Sequence, residues 1–221
     1  MTDISRRALL KYTGTGLAVA ASGLLVVGTA STAQAASAVA KPTILTRAQW
    51  GARAPKHPTT VLNRKPDRIV VHHTDTANTT DYSLAHAKSL SRSIQNHHMD
   101  TNGWDDVGQH FTNSRGGYLL EGRDKTLPSV AQHKLVQGAQ VSGHNDHTIG
   151  IENEGHYTSV LPPAAQWNAL VKLCAYLCDQ YGLDPKVAIR GHRDFNATEC
   201  PGDALYAKLP ALRTAVAKVL G

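Results

Sequence analysis

Apolar residues recur along the chain with two different periods, which predict strands and helices in alternation. Five short runs are rich in β-branched or aromatic residues and predict strands. These runs are Asp67–His72, Val107–Thr112, Tyr118–Glu121, Thr148–Asn153 and Val187–Arg190. Between the second and third runs, Gly116 and Gly117 permit the tight turn of a hairpin.

Three further segments have helical spacing. The first begins after Asp81, a candidate N-cap, and continues to His98 with Gly103 just beyond it. The second opens at Pro162 and Pro163 and ends at Gly182, where glycine favours a left-handed cap. A C-terminal region is also helical, and Pro210 is expected to break it.

The segment from Asp124 to Asp146 has no clear period, so it predicts a long loop. Strands alternating with helices, together with one hairpin, indicate an α/β fold with a mixed β-sheet flanked by helices. A chain of 221 residues with this pattern fits a single domain, which we place at residues 44–221 after a small-residue linker at 36–43.

Residues 1–35 have the form of a twin-arginine signal peptide. Arg6 and Arg7 precede an apolar stretch that is too short and too mild for a stable membrane span. Ala33 and Ala35 then give a small-x-small cleavage site. We expect a secreted chain that begins near residue 36, and an uncleaved N-terminal anchor is the alternative.

The net charge limits the classes of partner that the exported chain is expected to bind. Residues 1–35 hold three bases and one acid, so the exported chain keeps a net charge of +4, without a basic stripe for nucleic acid. An anionic cell wall suits such a charge, and we expect a monomer without stable membrane insertion.

The three cysteines have different predicted roles. Cys174 and Cys178, four apart on an apolar helix face, are most simply core residues rather than a disulfide, which leaves Cys200 for another task.

Three residues suggest metal chemistry. His72 ends a buried strand, His192 follows another, and Cys200 lies eight residues further on. Two imidazoles and one thiolate suit zinc and leave a fourth tetrahedral position open. Because the chain has 12 histidines, chance proximity of core and surface histidines remains the competing interpretation.

Several motifs occur in an order that is typical of one family. They are Arg47-Ala48-Gln49-Trp50-Gly51-Ala52, Ile69-Val70-Val71-His72-His73-Thr74, Gly103-Trp104-Asp105-Asp106-Val107-Gly108, Gly143-His144-Asn145, Ile149-Gly150-Ile151, Gly191-His192-Arg193-Asp194 and Thr198-Glu199-Cys200-Pro201-Gly202. Together they resemble the peptidoglycan recognition protein and type 2 N-acetylmuramoyl-L-alanine amidase family. The likeness extends from about Leu45 to Leu212.

The resemblance implies a zinc enzyme that cleaves the amide between N-acetylmuramic acid and L-alanine of peptidoglycan. By motif position, His72, His192 and Cys200 correspond to the Zn²⁺ ligands of the family. Thr198 corresponds to a residue that polarises the scissile carbonyl, and Glu152 to a general base. The resemblance also gives peptidoglycan, both its glycan strand and its stem peptide, as the partner.

Two positions depart from the family pattern. Gln109 stands where many relatives have a tyrosine near the metal, and Gln140 stands in place of a histidine that contacts the wall polymer. We still expect Gln109, His110, His144 and Asn145 to bind substrate.

Alternatives remain at the level of residues and of function. Glu152 shares a strand face with Glu154, so both could belong to a solvated face rather than a catalytic one. A non-hydrolytic peptidoglycan-binding recognition module and a structural zinc protein with a closed four-ligand site are the rival functions. The cysteine at position 200 favours hydrolysis over recognition, since non-hydrolytic relatives commonly lack this ligand.

Overall fold

The computed structural model describes residues 39–221. The predicted export signal at residues 1–35 and the first part of the predicted linker lie outside the described residues. Within residues 39–221, no helix combines the length and the apolar character that a membrane crossing requires.

A six-stranded mixed sheet forms the centre of the domain. Its strands follow the spatial order β1-β5-β4-β7-β3-β8, and a separate two-stranded ribbon joins β2 to β6. The strands are β1 (Ile44–Leu45), β2 (Val61–Leu62), β3 (Arg68–His73), β4 (Phe111–Asn113), β5 (Leu119–Glu121), β6 (Leu135–Val136), β7 (Thr148–Asn153) and β8 (Ile189–Gly191). Only β4 and β5 pair in antiparallel fashion within the large sheet. The predicted mixed sheet is confirmed.

In the part of the chain that the structure describes, six α-helices accompany the sheet. They are α1 (Arg47–Trp50), α2 (Leu84–Asn96), α3 (Thr126–Ala131), α4 (Ala164–Tyr181), α5 (Pro185–Ala188) and α6 (Asp203–Leu220). Side chains of α4 and α6 pack with those of the central strands in one large core, to which Leu170, Leu209 and Ile151 belong. Cys174 and Cys178 are buried free cysteines of this core, as predicted.

Helix α2 begins two residues later than expected. Its N-cap is Ser83, whose hydroxyl oxygen accepts a hydrogen bond from the backbone N–H of His86 at 3.1 Å. Asp81 instead accepts from the backbone N–H of Ser83 at 2.9 Å, which orders the turn before the cap. Both residue types cap helices well, so the sequence alone does not separate the two positions. The chain after Asn96 continues as a π-helical turn, His97–Thr101.

The predicted long loop at 124–146 is wrong in part, because it contains α3 and β6. Strand β6 has only two residues, which pair with β2, and both are buried. Elements this short show no period in a sequence. Two strands also begin later than predicted. Strand β4 starts at Phe111 rather than at Val107, and Val187 lies in α5 rather than in a strand.

Pro210 does not break the C-terminal helix. Helix α6 runs without interruption from Asp203 to Leu220 and carries Pro210 in its interior on the exposed side. Leu209 and Leu212 flank the proline and are buried against the core. Tertiary packing therefore outweighs the local preference of proline for a helix end.

Candidate metal centre and active site

Two neighbouring parallel strands place His72 beside Glu152. The register of β3 and β7 pairs His72 with Glu152 and Val70 with Gly150. Side chains alternate between the faces of a strand, so these residues lie on the face opposite Ile69, Val71 and the helices of the main core. Sheet pairing therefore brings together residues that are eighty positions apart.

The segment that follows β8 brings two further side chains to the end of β3. His192 opens a short 3₁₀ turn, His192–Asp194, and its ring centroid lies 4.5 Å from that of His72. The Cys200 Sγ lies 3.6 Å from His72 Nδ1 and accepts a hydrogen bond from the His73 backbone N–H at 3.4 Å. One ligand atom from each of His72, His192 and Cys200 lies within 4.8 Å of the others.

The two imidazoles of this cluster favour their neutral forms. Burial, helped by the nearby His192, lowers the pKa of His72 to about 3. Burial also lowers the pKa of His192. A neutral imidazole retains the lone pair that a metal ligand needs.

The acidic groups show the opposite trend. Burial raises the pKa of Glu152 to about 8, and within residues 39–221 the buried Glu152 Oε2 has no hydrogen-bond partner. Burial and the neighbouring Glu152 also raise the pKa of the Cys200 thiol well above its usual range. The solvated-face interpretation is wrong for Glu154, which is 2% exposed and bonds His86 and the Arg115 backbone N–H. Glu152 is half-buried and lines the cavity described below.

This cluster fits a zinc ion. Two neutral imidazoles and a cysteine form a donor set that binds zinc with one position left open. A cation at this point would lower the pKa of Cys200 and of Glu152, because an adjacent positive charge favours ionised acids. An adjacent cation would also stabilise Glu152 Oε2, which is buried without a hydrogen-bond partner among the described residues.

Both histidines are also held from behind by side-chain amides. His72 Nε2 lies 2.5 Å from Gln140 Oε1, and His192 Nε2 lies 3.2 Å from Asn196 Oδ1. The Nε2 atoms therefore face amide oxygens.

A cavity of about 330 Å³ opens in front of the cluster. It is lined by His72, His73, Asp75, His98, Trp104, Gly108, Gln109, Ala139, Gln140, Glu152, His192, Thr198, Glu199 and Cys200. The Thr198 Oγ1 accepts a hydrogen bond from the Cys200 backbone N–H at 3.2 Å, which leaves the hydroxyl proton free to donate. Gln109 is buried, and its Nε2 donates to Thr112 at 3.1 Å.

Three of the predicted substrate-binding residues do not line this cavity. His110 uses both ring nitrogens inside the protein, because Nδ1 accepts from the Gly150 N–H and Nε2 donates to the Val136 carbonyl. His144 Nδ1 lies 2.9 Å from His147 Nε2. Asn145 Oδ1 accepts from the backbone N–H groups of two loop residues, at 2.7 and 2.9 Å. Their contacts order the walls of the site.

A second group of candidate ligands lies at the rim. His73, Asp75 and His156 bring ligand atoms within 4.8 Å of one another. However, His73 Nδ1 accepts a hydrogen bond from the Tyr157 backbone N–H at 3.2 Å, so the neutral ring carries its proton on Nε2, the nitrogen facing Asp75. That nitrogen has no lone pair for a metal.

The sequence does not identify four residues as members of the site. His98 and Trp104 line the cavity, with ring centroids 4.6 Å apart. The sequence indicates His98 only as the end of a helical segment and Trp104 only as part of a motif. Asn196 was not singled out, since its role depends on the fold of the segment after β8. Gln140 was noticed only as a departure from a motif, and no sequence signal links it to His72.

A sequence profile described as N-acetylmuramoyl-L-alanine amidase matches residues 62–203 of the chain. An N-acetylmuramoyl-L-alanine amidase of Sus scrofa is 34% identical over 76% of this chain, and the match covers 27% of that protein. The chain thus corresponds to about a quarter of the length of that relative. Peptidoglycan-recognition protein LB of Drosophila melanogaster is 30% identical over 77% of this chain and 69% of its own length.

Solved structures agree with the sequence matches. The structure of Drosophila PGRP-LB superposes with a TM-score of 0.67 at 29% identity and covers 76% of this chain and 93% of that one. Peptidoglycan recognition protein LE, solved in complex with tracheal cytotoxin, a monomeric diaminopimelic acid-type peptidoglycan, has a TM-score of 0.66 at 27% identity. That match covers 76% of this chain and 92% of the other.

Proposed function

The chain belongs to the N-acetylmuramoyl-L-alanine amidase family, and from this membership we propose that it is a zinc-dependent amidase of peptidoglycan. The bond hydrolysed is the amide between the lactyl group of N-acetylmuramic acid and L-alanine of the stem peptide. One observation carries the proposal: His72, His192 and Cys200 converge beside the carboxyl group of Glu152, whose buried Oε2 has no hydrogen-bond partner among residues 39–221.

His72, His192 and Cys200 are the residues that would hold the zinc ion. When bound, zinc supplies Lewis-acid polarisation of the scissile carbonyl and activation of water. The protein contributes both histidines in their neutral state and the cavity in front of them.

Glu152 acts as the general base and then as the general acid. Its carboxylate takes a proton from the attacking water as the new C–O bond forms, and it delivers that proton to the nitrogen of L-alanine as the C–N bond breaks. The position of Glu152, paired in register with His72 on the cavity face of the sheet, supports this role.

Thr198 and Gln109 would contact the substrate. The hydroxyl of Thr198 is free to donate to the developing oxyanion, because its oxygen already accepts from Cys200 N–H. Gln109 lines the cavity but is 1% exposed and has no ionisable group, so it cannot replace Glu152 as a base.

Peptidoglycan lies outside the cytoplasmic membrane, so the proposed activity requires export. The paired arginines and the Ala-x-Ala site support secretion by the twin-arginine route, and the net charge of +4 on residues 36–221 suits an anionic wall.

The test is incubation of purified protein, residues 36–221, with peptidoglycan, with and without a zinc chelator. Mass spectrometry should detect stem peptides that begin with free L-alanine, lost with chelator and restored by zinc. Binding to the polymer without release would instead identify a recognition module and overturn the amidase.

The Glu152→Gln variant tests the assignment of the base. It should bind zinc and peptidoglycan yet lose hydrolysis by about 10²-fold or more, as expected for removal of a proton-transfer group. Asp146→Asn, an acid-to-amide change at an exposed residue outside the cavity, is the matched control and should retain activity. Retained turnover in Glu152→Gln would exclude Glu152 as the base.

A further inference from the structure

A chain of hydrogen bonds runs from His72 away from the metal centre. His72 Nε2 lies 2.5 Å from Gln140 Oε1, Gln140 Nε2 lies 2.7 Å from Thr148 Oγ1, and the Thr148 hydroxyl lies 2.7 Å from the His144 carbonyl. The last group is a backbone carbonyl, which only accepts hydrogen bonds.

The end of the chain fixes the direction of every bond in it. The Thr148 hydroxyl must donate to the His144 carbonyl, so its oxygen accepts from the Gln140 amide N–H. The amide of Gln140 is then oriented with Oε1 toward His72. An amide oxygen has no proton to give, so His72 must donate from Nε2.

The consequence concerns the other ring nitrogen. With the proton held on Nε2, the neutral ring presents a lone pair on Nδ1, the atom 3.6 Å from Cys200 Sγ. The same arrangement recurs at His192, where the Asn196 amide N–H donates to the Ser142 carbonyl at 3.1 Å and Oδ1 faces Nε2.

Local backbone structure holds Gln140 in this orientation. Asn145 Oδ1 accepts from the backbone N–H groups of Gln140 and Val141, which fixes the loop. Gly150 leaves the space that the amide fills, because a Cβ there would lie 2.6 Å from both Cδ and Oε1 of Gln140. The side chain is therefore confined as well as hydrogen bonded.

We propose that Gln140 is a positioning residue that fixes the Nε2–H tautomer of His72 and so prepares Nδ1 as a zinc ligand. The proposal rests on the proposed function in that zinc is the metal bound, but it concerns metal affinity rather than hydrolysis. Gln140, a departure from the family motif, thereby has a role in the site beyond lining its wall.

The first experiment measures the His72 tautomer directly. Two-dimensional NMR of zinc-free protein labelled with ¹⁵N-histidine distinguishes the two neutral tautomers by their ring nitrogen shifts, and the His72 signals are identified by their loss in His72→Asn. We expect the Nε2–H form in the native protein and a mixture with the Nδ1–H form in Gln140→Leu. A native ring protonated on Nδ1 would overturn the proposal.

The second experiment measures the zinc dissociation constant by competition with a chromophoric chelator. Gln140→Leu should weaken zinc binding by about 10- to 100-fold, the usual effect of removing a hydrogen-bond partner of a metal-bound histidine. Gln137→Leu, the same change at an exposed residue three positions away, should bind zinc like the native protein. An unchanged affinity in Gln140→Leu would refute the role.

Two further variants decide the outcome if Gln140→Leu does not fold. Thr148→Val frees the Gln140 amide to reverse, and Gly150→Ala displaces it from His72 without touching either ring. Each should weaken zinc binding by several-fold, with native far-UV circular dichroism, and native affinity in both would contradict the proposal. Loss of the amidase assignment would leave these measurements unaffected, since none depends on peptidoglycan.

Discussion

Burial raises the pKa of the Glu152 carboxyl group to about 8, so this group favours its protonated form at neutral pH when no cation is bound. The Cys200 thiol lies next to this carboxyl group, and burial together with Glu152 raises the pKa of the thiol as well. His72 and His192 shift in the opposite direction and remain neutral. The four side chains therefore carry little net charge without metal, and two of them can release protons when a cation binds.

The buried state of Glu152 predicts a pH-dependent effect of Glu152→Gln on the stability of the zinc-free protein. The pKa is about 8 in the folded protein against 4.5 when unfolded, so the native state holds one more proton between these values. Stability is then full below pH 4.5 and declines as pH rises toward 8. The Glu152→Gln variant lacks this decline. The difference between its free energy of unfolding and that of the native protein should therefore increase by about 2–4 kcal/mol from pH 5 to pH 8, allowing for partial solvation.

Urea denaturation at both pH values in the presence of a chelator measures the gain. Glu199→Gln, which alters an exposed glutamate, is the control and should show no comparable dependence. A difference between Glu152→Gln and native protein that does not vary with pH would show that the carboxyl group titrates normally.

At the scale of elements, the patterns that could be predicted were those long enough to show a period. The strand Thr148–Asn153 has the predicted limits, and α4 is capped by Gly182 in the left-handed conformation as expected. The two-residue strand β6 escaped prediction because no period exists over two residues. The predicted helix break at Pro210 was wrong because it took account of the local preference of proline but not of the packing of Leu209 and Leu212.

Pro210 therefore lies in the interior of helix α6 although proline disfavours the helical conformation there. Proline in a helix interior costs about 3 kcal/mol relative to alanine, and its restriction of the unfolded chain returns roughly 0.4–1 kcal/mol. Pro210→Ala should thus raise the free energy of unfolding by about 2 kcal/mol, seen as a higher urea midpoint with an unchanged slope. The exposed loop variant Pro58→Ala should not stabilise the protein. A lower midpoint for Pro210→Ala would mean that α6 depends on the proline for its packing.

At the scale of the whole molecule, the site depends on strand order, which the sequence does not state. His72 and Glu152 meet because β3 and β7 are neighbours, and Cys200 joins them because β8 lies on the other side of β3. Through family resemblance, the motifs predicted the three residues that converge in the cluster, but not the amides behind the histidines. Gln140 and Asn196 approach the rings from two separate loops, and their contacts exist only in the folded chain.

The core of the domain predicts that the fold survives removal of the metal. The helices α4 and α6 and the central strands share a large apolar core on the face of the sheet away from His72. Within residues 39–221, the cluster at the site has three converging ligands, which indicates an open rather than a closed coordination sphere. Dialysis against a chelator should therefore abolish hydrolysis while far-UV circular dichroism and cooperative unfolding persist. Added zinc should raise the melting temperature only by the amount expected for a ligand that binds the native state and not the unfolded state. Unfolding of the chelated protein would instead identify the cluster as a structural zinc site, because such sites supply the folding energy of the domain that contains them.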